Sequence, residues 1–171
     1  YLAVNTILIQ FIMFASFFLD AYAFSTEAVI GYTIGRRSKN SFLAVVSNSF
    51  KLSIFSGFII SVIYLFSFQL IINELTDLDY LKFLAFNYIF WILIIPPVAS
   101  ICYQFDGIFI GASQTGEMRN AMVISVVLFI TSSHFLVNNF GNHGLWLSLL
   151  FFMIMRSITL NYYFNRILKI F

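Results

Sequence analysis

The sequence predicts an all-α integral membrane protein, on three observations. Hydrophobic residues make up 61% of the chain and charged residues 9%, against about 25% charged in ordinary soluble domains. The apolar residues come in runs far longer than the roughly ten residues of a barrel strand. The runs are separated by short polar breaks carrying charges or turn residues. With 23 phenylalanines, a soluble domain of this size has too few charges to cover its apolar surface.

A bilayer core takes about 20 apolar residues in helical form. On that measure five spans are expected, at about 2–34, 42–72, 81–112, 121–137 and 145–164. The first two are separated by GRRSKNS, and the second and third by NELTDLDY. SQTGEMRN follows the third, and NNFGNHG, with ordinary turn residues, separates the last two. The first and third spans are long: about 32 residues make a helix of roughly 48 Å, against a hydrocarbon core of about 30 Å. Such helices tilt, bend or project. The third holds Pro96 and Pro97, and the missing amide of Pro97 predicts a kink.

Charge bias sets the orientation. Arg36, Arg37 and Lys39 lie in the first break, Arg119 in the third, and Arg166 and Lys169 in the tail. With five spans these fall on one side, which is therefore cytoplasmic together with the C-terminus. Glu74, Asp77 and Asp79 fall on the other. Trp146 and the pair Tyr162–Tyr163 sit near span ends, as in an aromatic belt.

Several function classes drop out. The net charge of +2 is too small to suggest a nucleic-acid partner. Cys102 is the single cysteine, so the chain forms no internal disulfide and has no zinc spacing. His134 and His143 lack Cys or His partners at ligand spacing and read as structural or interfacial. No phosphate loop, metalloprotease motif or nucleophile elbow is present, so an enzyme is not expected. Tyr1 opens directly on an apolar run with neither a methionine nor a basic leader region, which suggests an internal piece of a longer protein.

The residues that call for explanation are polar ones inside apolar runs. FFLDAYAFSTEAVIG carries Asp20 and Glu27. Seven residues turn a helix by roughly 700°, so both lie on one face, near Ser16, Ala23 and Gly31. A carboxylate at the bilayer centre costs on the order of 3 kcal/mol even on lenient insertion scales, so this face needs protein or water against it. YQFDGIFIGA repeats the device with Asp106 beside Gln104. Gly107 and Gly111 form a G-x-x-x-G pair, as do Gly31 and Gly35, a spacing that admits close helix approach. Arg156, in the middle of the fifth span, is the obvious counter-charge. A buried arginine paired with a buried aspartate is more often structural than substrate-binding. For Asp20, Glu27 and Asp106 the plain alternative is hydrogen bonding or ion pairing within the bundle.

Two stretches resemble a known family. NTILIQFIMFASFFLDAYAFSTEAVIGYTIGRRSKNSF resembles the eighth helix of multidrug and toxic compound extrusion (MATE) transporters of the DinF-like branch, on Leu19, Asp20, Ala21, Ala23, Glu27, Ala28 and Gly31. FDGIFIGASQTGEMRNAMVIS resembles the junction of the tenth and eleventh helices, on Asp106, Gly107, Phe109, Gly111, Ala112, Met118, Arg119 and Asn120. GLWLSLLFFMIMRSITL, with Arg156, resembles the twelfth. The resemblance implies most of one six-helix lobe of a twelve-helix transporter, residues 1–171 being the C-terminal lobe without its seventh helix and without the N-terminal lobe. It implies an inner-membrane antiporter exporting small organic, often cationic, compounds by alternating access, driven by proton or sodium entry. Asp106 matches a position that helps bind the coupling cation in parts of the family, a possible sodium site; no other metal or cofactor is implied. Asp20 and Glu27 match branch hallmarks. A lipid-linked oligosaccharide flippase of the same superfamily is the alternative within the class. A membrane assembly subunit without transport is the alternative outside it.

Overall fold

The computed structural model describes all 171 residues. Its helices are α1 (Leu2–Gly35), α2 (Lys39–Leu75), α3 (Asp79–Phe86) and α4 (Ile89–Gly111), followed by a helical run Thr115–Ile167 and a final 3-10 turn, Leu168–Ile170. The all-α membrane class expected from the sequence is the one observed. Four helical runs are long and apolar enough to cross a membrane, and the last of them crosses twice.

That last run is a hairpin. Gly141 leaves helical geometry at φ 56° and ψ −134°, a backbone state open mainly to glycine. It divides the run into α5 (115–140) and α6 (142–167). A straight helix of 53 residues would be roughly 80 Å long, yet its two ends meet: Arg166 Nη1 lies 2.9 Å from Glu117 Oε1. Midway, the rings of Phe129 and Phe152 are 5.9 Å apart. Gly144 lies directly on the Leu136 carbonyl, where a Cβ would overlap. The seven-residue turn expected at NNFGNHG is thus compressed into one residue.

The third span needs correction. It is not one helix over 81–112. The chain turns at Asn87 and Tyr88, so that the short α3 precedes an α4 of 23 residues. At 1.5 Å per residue α4 is roughly 34 Å long, which fits one crossing without projection. The kink expected at Pro97 does not break it; Ile89–Gly111 is continuous. The Leu93 carbonyl, freed by the missing amide of Pro97, accepts a hydrogen bond from Ser61 Oγ at 2.7 Å. Gly57 lets α2 lie against the proline pair, since a Cβ there would stand 2.9 Å from Pro97 Cα. Ser53 Oγ donates to the Ser100 carbonyl at 3.3 Å. Ser53, Gly57 and Ser61 recur every four residues and so form one stripe of α2 facing α4.

Helix α4 is the centre of the bundle, packed on α1, α2 and the final hairpin. Buried residues are 61% of its apolar window, against 28% for α1 and 22% for α2. The apolar packing falls into two clusters. One joins the start of α1 to the end of α2 and the start of α4, through Leu8, Phe11, Phe68, Tyr88 and Ile92. The other joins the end of α1 and the start of α2 to the end of α4, through Ile30, Phe42, Phe109 and Leu160. At the first end, Asn5 and Asn142 exchange amide hydrogen bonds at 2.6 and 2.9 Å, and Trp146 Nε1 donates to Asn5 at 3.0 Å. Trp146 is 2% exposed, so it is a buried hydrogen-bonding residue and not part of a lipid-facing belt. Tyr162 is exposed and Tyr163 packs under the Arg166 guanidinium.

The glycine pairs also divide. Gly107 and Gly111 press on the α1 backbone at Ala23 and Glu27. Gly31 is in ordinary contact with the Gly111 carbonyl at 3.6 Å, and Gly35 has nothing within 4 Å. The second expected packing pair is therefore not one. Gly35 is the last residue of α1, where the chain already leaves its neighbours.

Candidate functional site

The polar residues of the bundle collect around the second half of α4. Contact of Gly107 with Ala23 and of Gly111 with Glu27 fixes the register, with both numbers rising together, so α1 and α4 run parallel. No hydrophobic force pulls helices together inside lipid; close van der Waals contact and hydrogen bonds do so instead. With no side chain at 107 and 111, the two backbones touch. That contact brings Asp106 to the level of the α1 turn that carries Asp20 and Ala23.

Asp106 pairs with Arg156 of α6. One nitrogen, Nη2, stands 2.9 Å from Oδ1 and 2.8 Å from Oδ2, and both side chains are 14% exposed. The partner of Arg156 is thus the α4 carboxylate and not Asp20. The guanidinium is incompletely satisfied, because its Nε is buried without an acceptor. Asp20 is half-buried and belongs to no ion pair. Its charge is close enough to act on both Asp106 and Tyr103. Tyr103 lies beside Ser16 and within the fields of both Asp20 and Arg156. Cys102 is buried next to Ser157, Asp106 and Arg156. Four helical positions thus converge: Asp20, Tyr103, Asp106 and Arg156, two of them carboxylates and one a guanidinium.

Glu27 stands apart. Asp20 and Glu27 both flank the buried stripe Leu19, Ala23, Thr26 and Ile30, but they are separated by roughly 10 Å along the helix. Glu27 is half-buried and belongs to no ion pair. Its neighbour Thr26 accepts a hydrogen bond from Gln104 Nε2. Gln104 is fully buried, and its Oε1 has no partner.

Some polar positions were missed in the sequence. The Thr26–Gln104 pair joins two polar residues adjacent to the singled-out carboxylates. The serines of α2 carry a legible signal, small residues at four-residue spacing opposite a Pro-Pro pair. Lys51 lies within the 42–72 run yet is exposed on α2. His143 accepts a hydrogen bond from Trp91 Nε1 at 3.1 Å and stacks on Tyr88; His134 is exposed on α5. No group of three His, Cys, Asp or Glu side chains gathers at metal-binding distance.

Two clefts open between α1 and α2. One, of about 390 Å³, is lined by Phe11, Met13, Phe14, Phe17 and Tyr64 among others. The other, of about 270 Å³, is more polar, with Tyr22, Ser25, Thr26, Asn48 and Ser49. Neither includes Asp106 or Arg156.

Residues 1–140 match the family described as MatE. The chain is 35% identical over 159 residues to DNA damage-inducible protein F of Escherichia coli (strain K12), covering 93% of this chain and 34% of that protein. It is 23% identical over 156 residues to Protein DETOXIFICATION 42 of Arabidopsis thaliana, covering 91% of this chain and 30% of that protein. The chain therefore spans about a third of the length of these curated relatives. No solved structure matches it.

Proposed function

The chain belongs to the MatE family, and on that premise we propose that it forms the C-terminal lobe of a cation-coupled antiporter that exports organic, often cationic compounds. Export proceeds by alternating access, with proton or sodium entry as the drive. The observation that carries this reading is the carboxylate pair Asp106 and Asp20 at a close-packed helix crossing, with Arg156 as the sole guanidinium beside it. Ionisable groups at such depth are costly, and they mark ion and substrate pathways in transporters. Asp106 holds the coupling cation, Asp20 supports it, and Glu27 contributes least because it lies nearest the end of α1. Coupling requires that the states open to either side differ in affinity for the cation. The membrane is the inner membrane, with the basic ends of the helices and the C-terminus in the cytoplasm.

The test is efflux of a fluorescent organic cation from proteoliposomes holding the full-length protein, under an imposed proton or sodium gradient. Asp106→Asn keeps the size and most hydrogen bonding but cannot ionise. It is expected to abolish gradient-driven efflux in protein that is folded and inserted, Asp20→Asn to weaken it, and Glu27→Gln to weaken it least. Normal coupling in Asp106→Asn would make this carboxylate structural. For the orientation, cysteine labelling from outside the cell should reach position 77 and miss positions 36–41; the opposite pattern would invert it.

A further inference from the structure

We propose that Arg156 is a tethered rival of the coupling cation, held by Asp106 when the site is free of cation and passed to Asp20 when a cation occupies Asp106. The inference rests on the transporter reading above and names the internal partner that the cation must displace.

The argument begins with the incomplete pairing of the guanidinium. Arginine has five N–H donors in a planar fork, and the strong arrangement with a carboxylate uses two nitrogens in parallel. Here one nitrogen serves both Asp106 oxygens, and Nε is buried with no acceptor. The guanidinium is held, but not by its best geometry. A buried charge that loses its partner is heavily penalised, so a cation arriving at Asp106 displaces Arg156 only if another acceptor lies within reach. Asp20 fills that role. It belongs to no ion pair, and it stands on the α1 turn that Gly107 brings against α4. Its charge reaches Asp106, and Tyr103 lies within the fields of both Asp20 and Arg156.

The charges close as well. Two carboxylates and one guanidinium leave one negative charge, which a single proton or sodium ion neutralises. Without cation, Arg156 pairs with Asp106 and Asp20 stands alone. With cation, Asp106 holds it and Arg156 pairs with Asp20. Both states keep the arginine paired, and they differ in whether α6 is tied to α4 or to α1. That is a two-state element whose balance a monovalent cation shifts. The charged groups acting on Asp106 are Arg156 from α6 and Asp20 from α1; Cys102 and Tyr103 are the other titratable neighbours, both on α4.

The experiment uses the full-length protein in proteoliposomes, with protons or sodium as the cation probe and ethidium as the transported compound. Infrared difference spectra on cation addition are expected to show guanidinium and carboxylate bands shifting together in the wild type. The guanidinium shift should disappear in Asp20→Asn, where the displaced arginine has no second acceptor. Arg156→Gln removes the rival, so the cation concentration for half-maximal ethidium efflux should fall about tenfold, a modest shift in population. Arg156→Lys, a weaker competitor without the planar fork, should shift it in the same direction. If Arg156→Gln is not recovered from the membrane, the lysine variant and the infrared spectra decide. A wild type that transports, with guanidinium bands unmoved by cation or with unchanged cation dependence in the Arg156 variants, overturns the inference. A wild type that moves ethidium under neither gradient overturns the transporter reading, and this inference with it.

Discussion

Helix α4 meets its two principal neighbours by opposite means. Toward α1 it supplies the small residues itself, and Gly107 and Gly111 let the backbone of Ala23 and Glu27 come into contact. Toward α2 it supplies the obstacle, Pro96 and Pro97, and α2 answers with Gly57 for space and Ser61 for the orphaned Leu93 carbonyl. The first contact is pure close approach, with no hydrogen bond at the glycines. The second combines close approach with repair of a helix that has lost a backbone donor. The difference teaches where tolerance lies. A backbone-to-backbone crossing has nothing that can move aside, whereas a contact that includes a hydroxyl can lose its hydrogen bond and keep its packing.

The comparison is broken most severely at Gly107. A Cβ there would overlap the Ala23 carbonyl, which no side-chain rotation relieves. Gly107→Ala is expected to destabilise the bundle by about 3 kcal/mol, the upper part of the usual overpacking range, and to lower the melting temperature of the detergent-solubilised full-length protein. A melting temperature equal to wild type would show that α1 and α4 separate freely.

On the α2 side, Gly57→Ala meets Pro97 Cα at 2.9 Å and the Pro96 carbonyl at 3.0 Å. The expected cost is smaller, about 1–2 kcal/mol, because these contacts are less severe. Ser61→Ala removes one interhelical hydrogen bond and should cost about 0.6 kcal/mol, the average for such bonds in a membrane protein. Gly35→Ala is the control: with open space around it, it should leave the melting temperature within error of wild type. An order of effects with Ser61 ahead of Gly107 would mean that hydrogen-bond repair, and not close approach, holds α4 in place.

The same division runs through what was legible in advance. Asp20, Asp106 and Arg156 stand out because charge inside an apolar run is visible without any structure. Gly107 and Gly111 stand out beside Asp106 for the same reason. Gly31 and Gly35 carry an identical spacing, yet only the first touches α4 at all. A four-residue spacing states that a helix has a smooth face; it does not state whether a neighbour is there. Trp146 illustrates the converse. Its place near a span end suggested a belt, but the turn at Gly141 folds it under α1, where Asn5 accepts its indole N–H.

The amino-acid sequence by itself determined the class of the molecule and the positions at which lipid alone is an inadequate neighbour. Hydropathy and buried charge depend on each residue's own chemistry, so they survive without coordinates. Tertiary structure decided the partners. Arg156 had two aspartates to choose from, and the register set by Gly107 on Ala23 and by the hairpin at Gly141 brought α6 to Asp106 and left Asp20 unpaired. It also decided that α4 is short and continuous, because the turn at Asn87 and Tyr88 and the hydroxyl of Ser61 act through contacts between helices far apart in the chain. Pairing energies depend on separations of a few ångströms between such segments, and no local pattern carries that information.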